Sequence, residues 1–344
     1  MRPPKNRESR ARGGPQLTSA LVTAERRCVA TKSKMAGLVL CEPIELYNIL
    51  NQSTKLSRLT EPNYLCLLDA RTKREYNESH VITARRVKQN PMGEYLVPES
   101  VELECVKYCV VYDGKTSFLD DTYYDDYEEK EKDEKDAEVG AAIQCARVLE
   151  QLTRHPVRIL KGGYERFTAC YHFLRTQKIF WMPQELDALQ PYPVEILPGQ
   201  LYMGDCRQAC DQQIQKDLKI KAQVNISEEI ATLFTDESKT LHVSVADSPD
   251  ADLFSFFPTI CHFIDAQMAL GAVLVFSTLG LSRSSTAVMA FLMHSSHYPL
   301  KGAWKYIQKC KTNMRPNRGF VQQLSDWESQ IYGSAITDIS EPHY

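Results

Sequence analysis

The sequence has 344 residues, of which 43% are hydrophobic and 25% charged, and its net charge is −3. This length is enough for two domains, and the composition is typical of a globular chain. The near-neutral charge gives no sign of a nucleic-acid partner, and no apolar run reaches the roughly 18 residues that a membrane helix needs.

Eleven cysteines are scattered along the chain. Two close pairs, Cys105/Cys109 and Cys206/Cys210, lack the further Cys or His residues that zinc-binding spacing requires. An odd number of thiols, several of them within apolar runs, favours a reducing compartment. We therefore expect free thiols, no metal, no cofactor and a cytoplasmic location.

Residues 1–34 carry nine Lys or Arg against two Glu, together with many Ser, Thr, Pro and Gly. This composition is typical of a disordered basic extension. Mitochondrial transit segments are also rich in Arg and Ser and poor in acids. The sequence leaves both interpretations of this segment open.

Residues 35–176 alternate strand-like and helix-like patterns, which predicts an α/β domain with a parallel sheet. Helical periodicity is found at Pro43–Leu50 and Ala141–Leu152. Continuous apolar runs, typical of buried parallel strands, are found at Tyr64–Leu68, Tyr108–Tyr112 and Val157–Leu160.

Two motifs of this segment resemble those of rhodanese-like domains. The first is matched by Leu68-Asp-Ala-Arg71, Glu75-Tyr76, His80-Val81 and Ala84, and the closing motif by Leu160-Lys-Gly-Gly-Tyr164 with Phe167. In active relatives a cysteine loop follows the strand that here is Tyr108–Tyr112, whereas this chain has Asp113. A carboxylate there would repel anionic substrates, so the resemblance implies a non-catalytic domain.

Residues 120–138 are an acidic insertion with eleven Asp or Glu, three Lys and three Tyr. It is either a solvated loop, an acidic docking surface or a tyrosine kinase site. In mitogen-activated protein (MAP) kinase phosphatases, which the domain layout resembles, a basic cluster of the rhodanese-like domain binds an acidic groove on the kinase. The candidate docking residues here are Arg85, Arg86 and Lys88, and a solvated basic loop is the alternative.

Residues 177–192 contain Pro183 and Pro191 and are predicted to be a linker, and residues 193–333 to be a second α/β domain, followed by a tail at 334–344. The expected strands of the second domain are Ala222–Ile226, Leu241–Val245 and Ala272–Phe276. Its expected helices are Ser255–Gly271 and Ser284–His294.

The last strand–loop–helix unit resembles the His-Cys-x5-Arg-(Ser/Thr) motif of dual-specificity protein tyrosine phosphatases, and here it begins Phe276-Ser277. The resemblance implies a parallel sheet carrying a loop whose N–H groups and arginine surround a phosphate. Asp247 matches the family's general acid, and Asn317-Arg-Gly-Phe320 matches a further family motif. The phosphate loop would consist of Ser277, Thr278, Leu279, Gly280, Leu281, Ser282, Arg283 and Ser284.

Ser277 and Phe276 stand where the family has its nucleophilic cysteine and the histidine before it. A loop that lowers a thiol pKa from about 8.5 cannot ionise a hydroxyl, whose pKa starts far higher. We therefore expect no enzyme activity and a pseudophosphatase that acts as an adaptor or regulator of signalling. Its expected partners are phosphorylated proteins, among them MAP kinases or active phosphatases.

Three other functions remain open at this point. The first is a scaffold that binds its partners through other surfaces, with the phosphate loop remaining only as a relic. The second is a phosphatase with another nucleophile, for which Cys261 and Cys310 lie far from the loop in sequence. The third is a sulfurtransferase, against which Asp113 argues.

Overall fold

The computed structural model describes residues 37–98, 101–119, 139–230, 236–341 and 344. The predictions for the basic extension 1–34 and the acidic insertion 120–138 lie outside these residues. In the described part of the chain, no helix is long and apolar enough to cross a membrane, and no group of His, Cys, Asp or Glu is arranged to hold a metal ion.

The N-terminal sheet has five parallel strands in the order β1-β6-β5-β2-β4, and β3 and β7 form a separate antiparallel pair. Its helices follow the strands as the alternating pattern predicts. The elements of this part are β1 Leu38–Cys41, α1 Pro43–Asn51, β2 Leu65–Asp69, α2 Lys73–Glu78, β3 His80–Val81, β4 Arg85–Arg86, β5 Tyr108–Tyr112, α3 Ala141–Leu149, β6 Val157–Leu160, α4 Gly163–Cys170 and β7 Arg175–Thr176.

The C-terminal sheet has the order β11-β10-β12-β9-β8, in which β8 is antiparallel to β9 and the other pairs are parallel. The elements of this part are α5 Pro183–Leu186, β8 Val194–Leu197, β9 Leu201–Asp205, α6 Cys206–Ala209, α7 Gln212–Asp217, β10 Ile220–Asn225, β11 Thr240–His242, α8 Phe257–Met268, β12 Ala272–Ser277, α9 Arg283–Ser295, α10 Leu300–Cys310 and α11 Arg318–Tyr332.

Alternate residues of β12 face two different cores. Val273 and Val275 pack into a cluster with α8, α9, α10 and α11. Leu274 and Phe276 belong to a cluster that also contains side chains of α1, α4 and the first sheet, among them Tyr47. Because one apolar cluster is built from both halves, the two sheets lie in a single compact unit, Met35–Tyr344.

Hydrogen bonds from α1 tie the two halves together at the start of β8. The Asn48 side chain donates to the carbonyl of Glu195 at 2.8 Å and accepts from the N–H of Glu195 at 2.8 Å. The Tyr47 hydroxyl donates to the carbonyl of Pro193 at 2.8 Å, and Asn51 accepts from the N–H of Tyr192 at 2.9 Å. The sequence predicted the helix but not this interface.

The buried carboxylate of Glu195 completes the interface. It accepts hydrogen bonds from the hydroxyls of Tyr171 and Tyr202 and from the N–H of Gly199 at 2.7 Å. Burial, with Glu195 adding to it, raises the pKa of both tyrosines well above the usual value, so they stay protonated donors.

Candidate functional site

The phosphate loop lies between β12 and α9, at the carboxyl end of a central parallel strand. Ser277 is the last residue of β12 and is paired in register with Asp205 of β9. Gly280 has φ +66°, and a Cβ there would lie 2.5 Å from the carbonyl oxygen of Gly204. The loop therefore requires glycine at this position in order to pack across the end of β9.

Arg283 begins α9 and is buried, with 7% of its surface exposed. Its guanidinium donates to the carbonyl of Val245 at 2.7 Å and to the hydroxyl of Thr278 at 3.1 Å. Its Nε atom is buried and has no hydrogen-bond partner among the described residues. The arginine is thus held beneath the loop by two of its five N–H groups.

Ser277 is 2% exposed, and its hydroxyl donates to Ser284 Oγ at 3.2 Å. Among the residues that the structure describes, Ser284 is the hydrogen-bond partner of Ser277 Oγ, and no histidine, lysine or carboxylate is hydrogen-bonded to it. Nucleophilic serines are activated by an adjacent base. A serine hydrogen-bonded to a second hydroxyl lacks that activation.

Asp247 lies against the loop. One carboxylate oxygen accepts from Ser282 Oγ at 2.7 Å and from Asn317 Nδ2 at 3.0 Å. The other oxygen is 3.9 Å from Nε of Arg283. Ser277 and Arg283 of the phosphate loop and Asp247, about 30 residues earlier in the chain, are therefore brought together in one site.

The remaining loop residues are divided between packing and solvent. Thr278 and Leu279 are exposed, Leu279 by 71%, while Gly280, Ser282 and Ser284 are buried and Leu281 is half-buried. Phe276 is fully buried in the apolar cluster that both halves share. Phe276 thus has a packing role between the two halves.

Sequence reasoning missed several partners of these residues. Val245 was expected inside a strand Leu241–Val245, but β11 ends at His242. The carbonyl of Val245 is used instead to accept from Arg283. Asn317 was noted as part of a motif, and it both caps α11 by accepting from the N–H of Phe320 at 3.0 Å and holds Asp247. Its place before a helical pattern was a usable signal.

Asp113 in the first half serves the structure of its own loop. Its carboxylate accepts from the N–H groups of Lys115, Thr116 and Ala142 at 3.1, 2.8 and 3.0 Å, and from the Thr116 hydroxyl at 2.6 Å. Asp113 is 8% exposed. The acid thus occupies the loop where an active relative has cysteine, and joins it to the start of α3.

The candidate docking residues lie in the edge strand of the first sheet and in the segment that follows it. Arg85 and Arg86 form β4, which pairs with the end of β2. With Lys88 they line a groove of about 550 Å³, together with Lys178, Ile179, Phe180 and Trp181. Trp181 is 84% exposed. The groove therefore combines cationic and exposed apolar side chains.

Comparisons with known families agree with this architecture. Residues 52–170 match the family model of the rhodanese-like domain, and residues 201–330 match that of the dual specificity phosphatase catalytic domain. The chain therefore has a rhodanese-like domain followed by a dual specificity phosphatase domain. The extents predicted from the sequence, 35–176 and 193–333, enclose these matches, and their ends remain predictions.

Several curated proteins are similar to parts of the chain. A probable rhodanese domain-containing dual specificity protein phosphatase of Dictyostelium discoideum is 30% identical over 178 residues, 51% of this chain and 37% of that protein. Dual specificity protein phosphatase 5 of Rattus norvegicus is 38% identical over 223 residues, 58% of each chain. Dual specificity protein phosphatase 4 of Homo sapiens is 27% identical over 283 residues, 74% of this chain and 68% of that protein. The chain thus spans between about a third and two thirds of these relatives.

Among solved structures, human DUSP28 is similar at 28% identity with a TM-score of 0.39, covering 42% of this chain and 97% of that chain. The human tyrosine phosphatase-like serine/threonine/tyrosine-interacting protein is similar at 29% identity with a TM-score of 0.36, covering 40% of this chain and 95% of that one.

Proposed function

We propose that the chain is a catalytically inactive pseudophosphatase that binds phosphorylated proteins and so acts as an adaptor or regulator in signalling. The observation that carries this proposal is that one loop contains both an arginine suited to bind phosphate and a serine without an activating base. Arg283 lies against the loop and uses two of its five N–H groups on Val245 and Thr278, whereas Ser277, in the nucleophile's place, is hydrogen-bonded to a hydroxyl and to no base. The site thus keeps the groups that bind an oxyanion and lacks an activated nucleophile.

The layout of the two domains supports a finer assignment. A non-catalytic rhodanese-like domain before a phosphatase domain with serine in place of cysteine resembles MK-STYX, the serine/threonine/tyrosine-interacting-like pseudophosphatase of the MAP kinase phosphatase group. We infer from this resemblance that partners are drawn from phosphoproteins, MAP kinases and active phosphatases.

An alternative cysteine nucleophile is disfavoured by the thiols themselves. Cys261 and Cys310 are buried in α8 and α10, and burial raises the pKa of each to about 12. A thiol with such a pKa is almost entirely protonated near neutrality, and the thiolate is the reactive form. Neither cysteine belongs to the phosphate loop.

Hydrolysis of a small aryl phosphate tests the inactivity. We expect no turnover by the native chain and measurable turnover by the double variant F276H/S277C, because a thiol in this loop can be ionised whereas the hydroxyl cannot. The single variant S277C is the matched control for the histidine. Turnover by the native chain that S277A abolishes would show that Ser277 is an active nucleophile.

Calorimetric titration with a phosphotyrosine peptide tests the binding. We expect the native chain to bind the peptide and not its unphosphorylated form, and R283A to lose at least tenfold in affinity, since a charge-assisted bidentate contact contributes about 1.5–3 kcal/mol. R283K, which keeps the charge without the planar fork, is expected to retain part of the affinity. Equal affinity of the native chain and R283A would exclude the loop as the binding site.

The groove beside β4 supports a second candidate function, a scaffold whose phosphate loop is a relic. Arg86, Lys88 and Lys178 give it positive charge, and Trp181 and Ile179 give it exposed apolar surface. Such a surface suits an acidic partner segment with an apolar anchor. The R283A variant separates the two functions, because a scaffold would keep its protein partners when the phosphate loop is disabled.

A further inference from the structure

A cleft between the two domains contains a buried lysine without a partner. Lys311 follows α10 and is only 8% exposed. In the part of the chain that the structure describes, no side-chain hydrogen bond or ion pair is formed by its ammonium group. Burial lowers the pKa of Lys311, and the nearby Asp205 carboxylate opposes this effect. An uncompensated cation of this kind is costly unless an anion joins it.

The cleft has a volume of about 340 Å³ and is polar. Its cations outnumber its acids, with Lys55, Arg207 and Lys311 against Asp187 and Asp205. Asp205 is already engaged, because it accepts from the N–H of Gln208 at 2.9 Å and pairs with Arg207 at 3.4 Å. The remaining positive charge at Lys311 is therefore available to a ligand.

Both domains and the segment between them form the walls. Ser53, Thr54 and Lys55 come from the rhodanese-like domain, 187–191 from the connecting segment, and Arg207, Gln208 and Lys311 from the phosphatase domain. Gln52 Oε1 accepts from the N–H of Thr312 at 3.2 Å, and Gln208 donates to the carbonyl of Pro191 at 2.9 Å. These bonds hold the walls together, so the cleft is formed before any ligand binds.

We propose that this cleft is a second oxyanion site, which takes a phosphate group between the two domains with Lys311 at its base and Lys55 and Arg207 at its mouth. Hydroxyls of Ser53 and Thr54 supply further donors of the kind that bind phosphate oxygens. The site is separate from Arg283, although the exposed Leu279 of the phosphate loop lies on its rim. This inference goes beyond the proposed function and does not depend on it.

Thermal unfolding in inorganic phosphate, compared with chloride at equal ionic strength, tests the site. A ligand that binds only the folded state raises the midpoint temperature as its concentration increases. We expect phosphate to raise the midpoint temperature of the native chain. R283M and K311M should each show a smaller increase than the native chain, and the double variant should show none. The full chain is used throughout, because both domains form the cleft.

K311M has a second readout that does not need phosphate. Methionine fills a similar volume without charge, so in chloride alone we expect its midpoint to equal or exceed that of the native chain. K305M removes an exposed lysine of α10 and is the matched control, which should keep the full phosphate response. The cleft site would be contradicted if K311M had a lower midpoint than the native chain in chloride. It would also be contradicted if R283M removed the whole phosphate response, and that second result would leave the proposed function intact.

The source of the phosphate group is distinguished on the R283M background. Calorimetry measures the binding of inorganic phosphate and of a phosphoserine peptide. Binding of either probe supports the site if K311M abolishes it. Tighter binding of the peptide indicates a protein-borne phosphate, and tighter binding of the free ion indicates a small-molecule ligand. Absence of binding by both probes contradicts the proposal.

Discussion

The Asp247 carboxylate lies close to Arg283 in a position fixed by Ser282 and Asn317. Its nearer oxygen is 3.9 Å from Nε of Arg283. In a phosphatase, an acid here would protonate the leaving group. Under the proposed function there is no leaving group, and the carboxylate contributes only negative charge next to the residue that would bind a phosphate dianion.

Replacing Asp247 by asparagine is therefore expected to strengthen phosphopeptide binding. Asparagine keeps an oxygen for Ser282 and Asn317 and removes the charge, and removing one like charge at this range corresponds to about a three- to tenfold lower Kd. Calorimetry with the phosphotyrosine peptide measures the change. D250N, which alters an exposed acid further along the same loop, should leave Kd as it is, and an unchanged Kd for D247N would contradict the argument.

The loop after β5 is organised around one buried carboxylate. One carboxylate, Asp113, accepts four hydrogen bonds and joins the loop to the first turn of α3. Gly163 packs against this loop with φ +56°, and a Cβ there would lie 2.5 Å from the backbone of Gly114. Gly163 of the closing motif is thus explained by close backbone packing, and Gly162 by its positive φ of +78°.

Removing the Asp113 carboxylate should destabilise the fold. D113A leaves three backbone N–H groups without their acceptor, and we expect the free energy of unfolding to fall by about 2–4 kcal/mol. Urea denaturation measures this loss. D113N keeps one acceptor oxygen and should lose less; an equal loss in both variants would indicate that charge, and not the acceptor geometry, stabilises the loop.

Much of the element structure could be predicted from local pattern. The strands Tyr108–Tyr112 and Val157–Leu160 have the predicted bounds, because a buried parallel strand reads as an apolar run. The helix expected from Ser255 starts instead at Phe257, after a 3₁₀ turn and with Pro258 in its first turn. The motif residues of the phosphate loop could be named from the sequence, but the bond from Arg283 to the carbonyl of Val245 could not, because it joins positions 38 residues apart.

At the scale of the whole molecule, side-chain bonds join residues that no local pattern connects. Asn48 and Glu195 are 147 positions apart and exchange two buried hydrogen bonds. The sequence predicted two domains and a linker but gave no signal for the contact between them. Helical periodicity marked the neighbours of Asn48 as core residues without indicating which core they join.

Truncating Asn48 tests this interface. N48A leaves the N–H and carbonyl of Glu195 without partners in a buried place, and we expect the free energy of unfolding to fall by about 2–4 kcal/mol. Equilibrium urea unfolding, followed by tryptophan fluorescence, measures it. N63A removes an exposed asparagine and serves as the control; equal stabilities of N48A and N63A would mean that the interface contributes little.

The burial of Phe276 affects how readily substitutions could make the phosphate loop catalytic. The ring is fully buried in the apolar cluster that the two domains share, so a histidine at this position would place a polar group within that cluster. Burying an unpaired polar group costs stability. Under the proposed function each single substitution toward an active loop therefore meets an obstacle, since cysteine alone lacks a neighbouring imidazole and histidine alone weakens the core without a nucleophile to benefit. Packing at Phe276 would then oppose a gain of catalysis in addition to the absence of a thiol at Ser277.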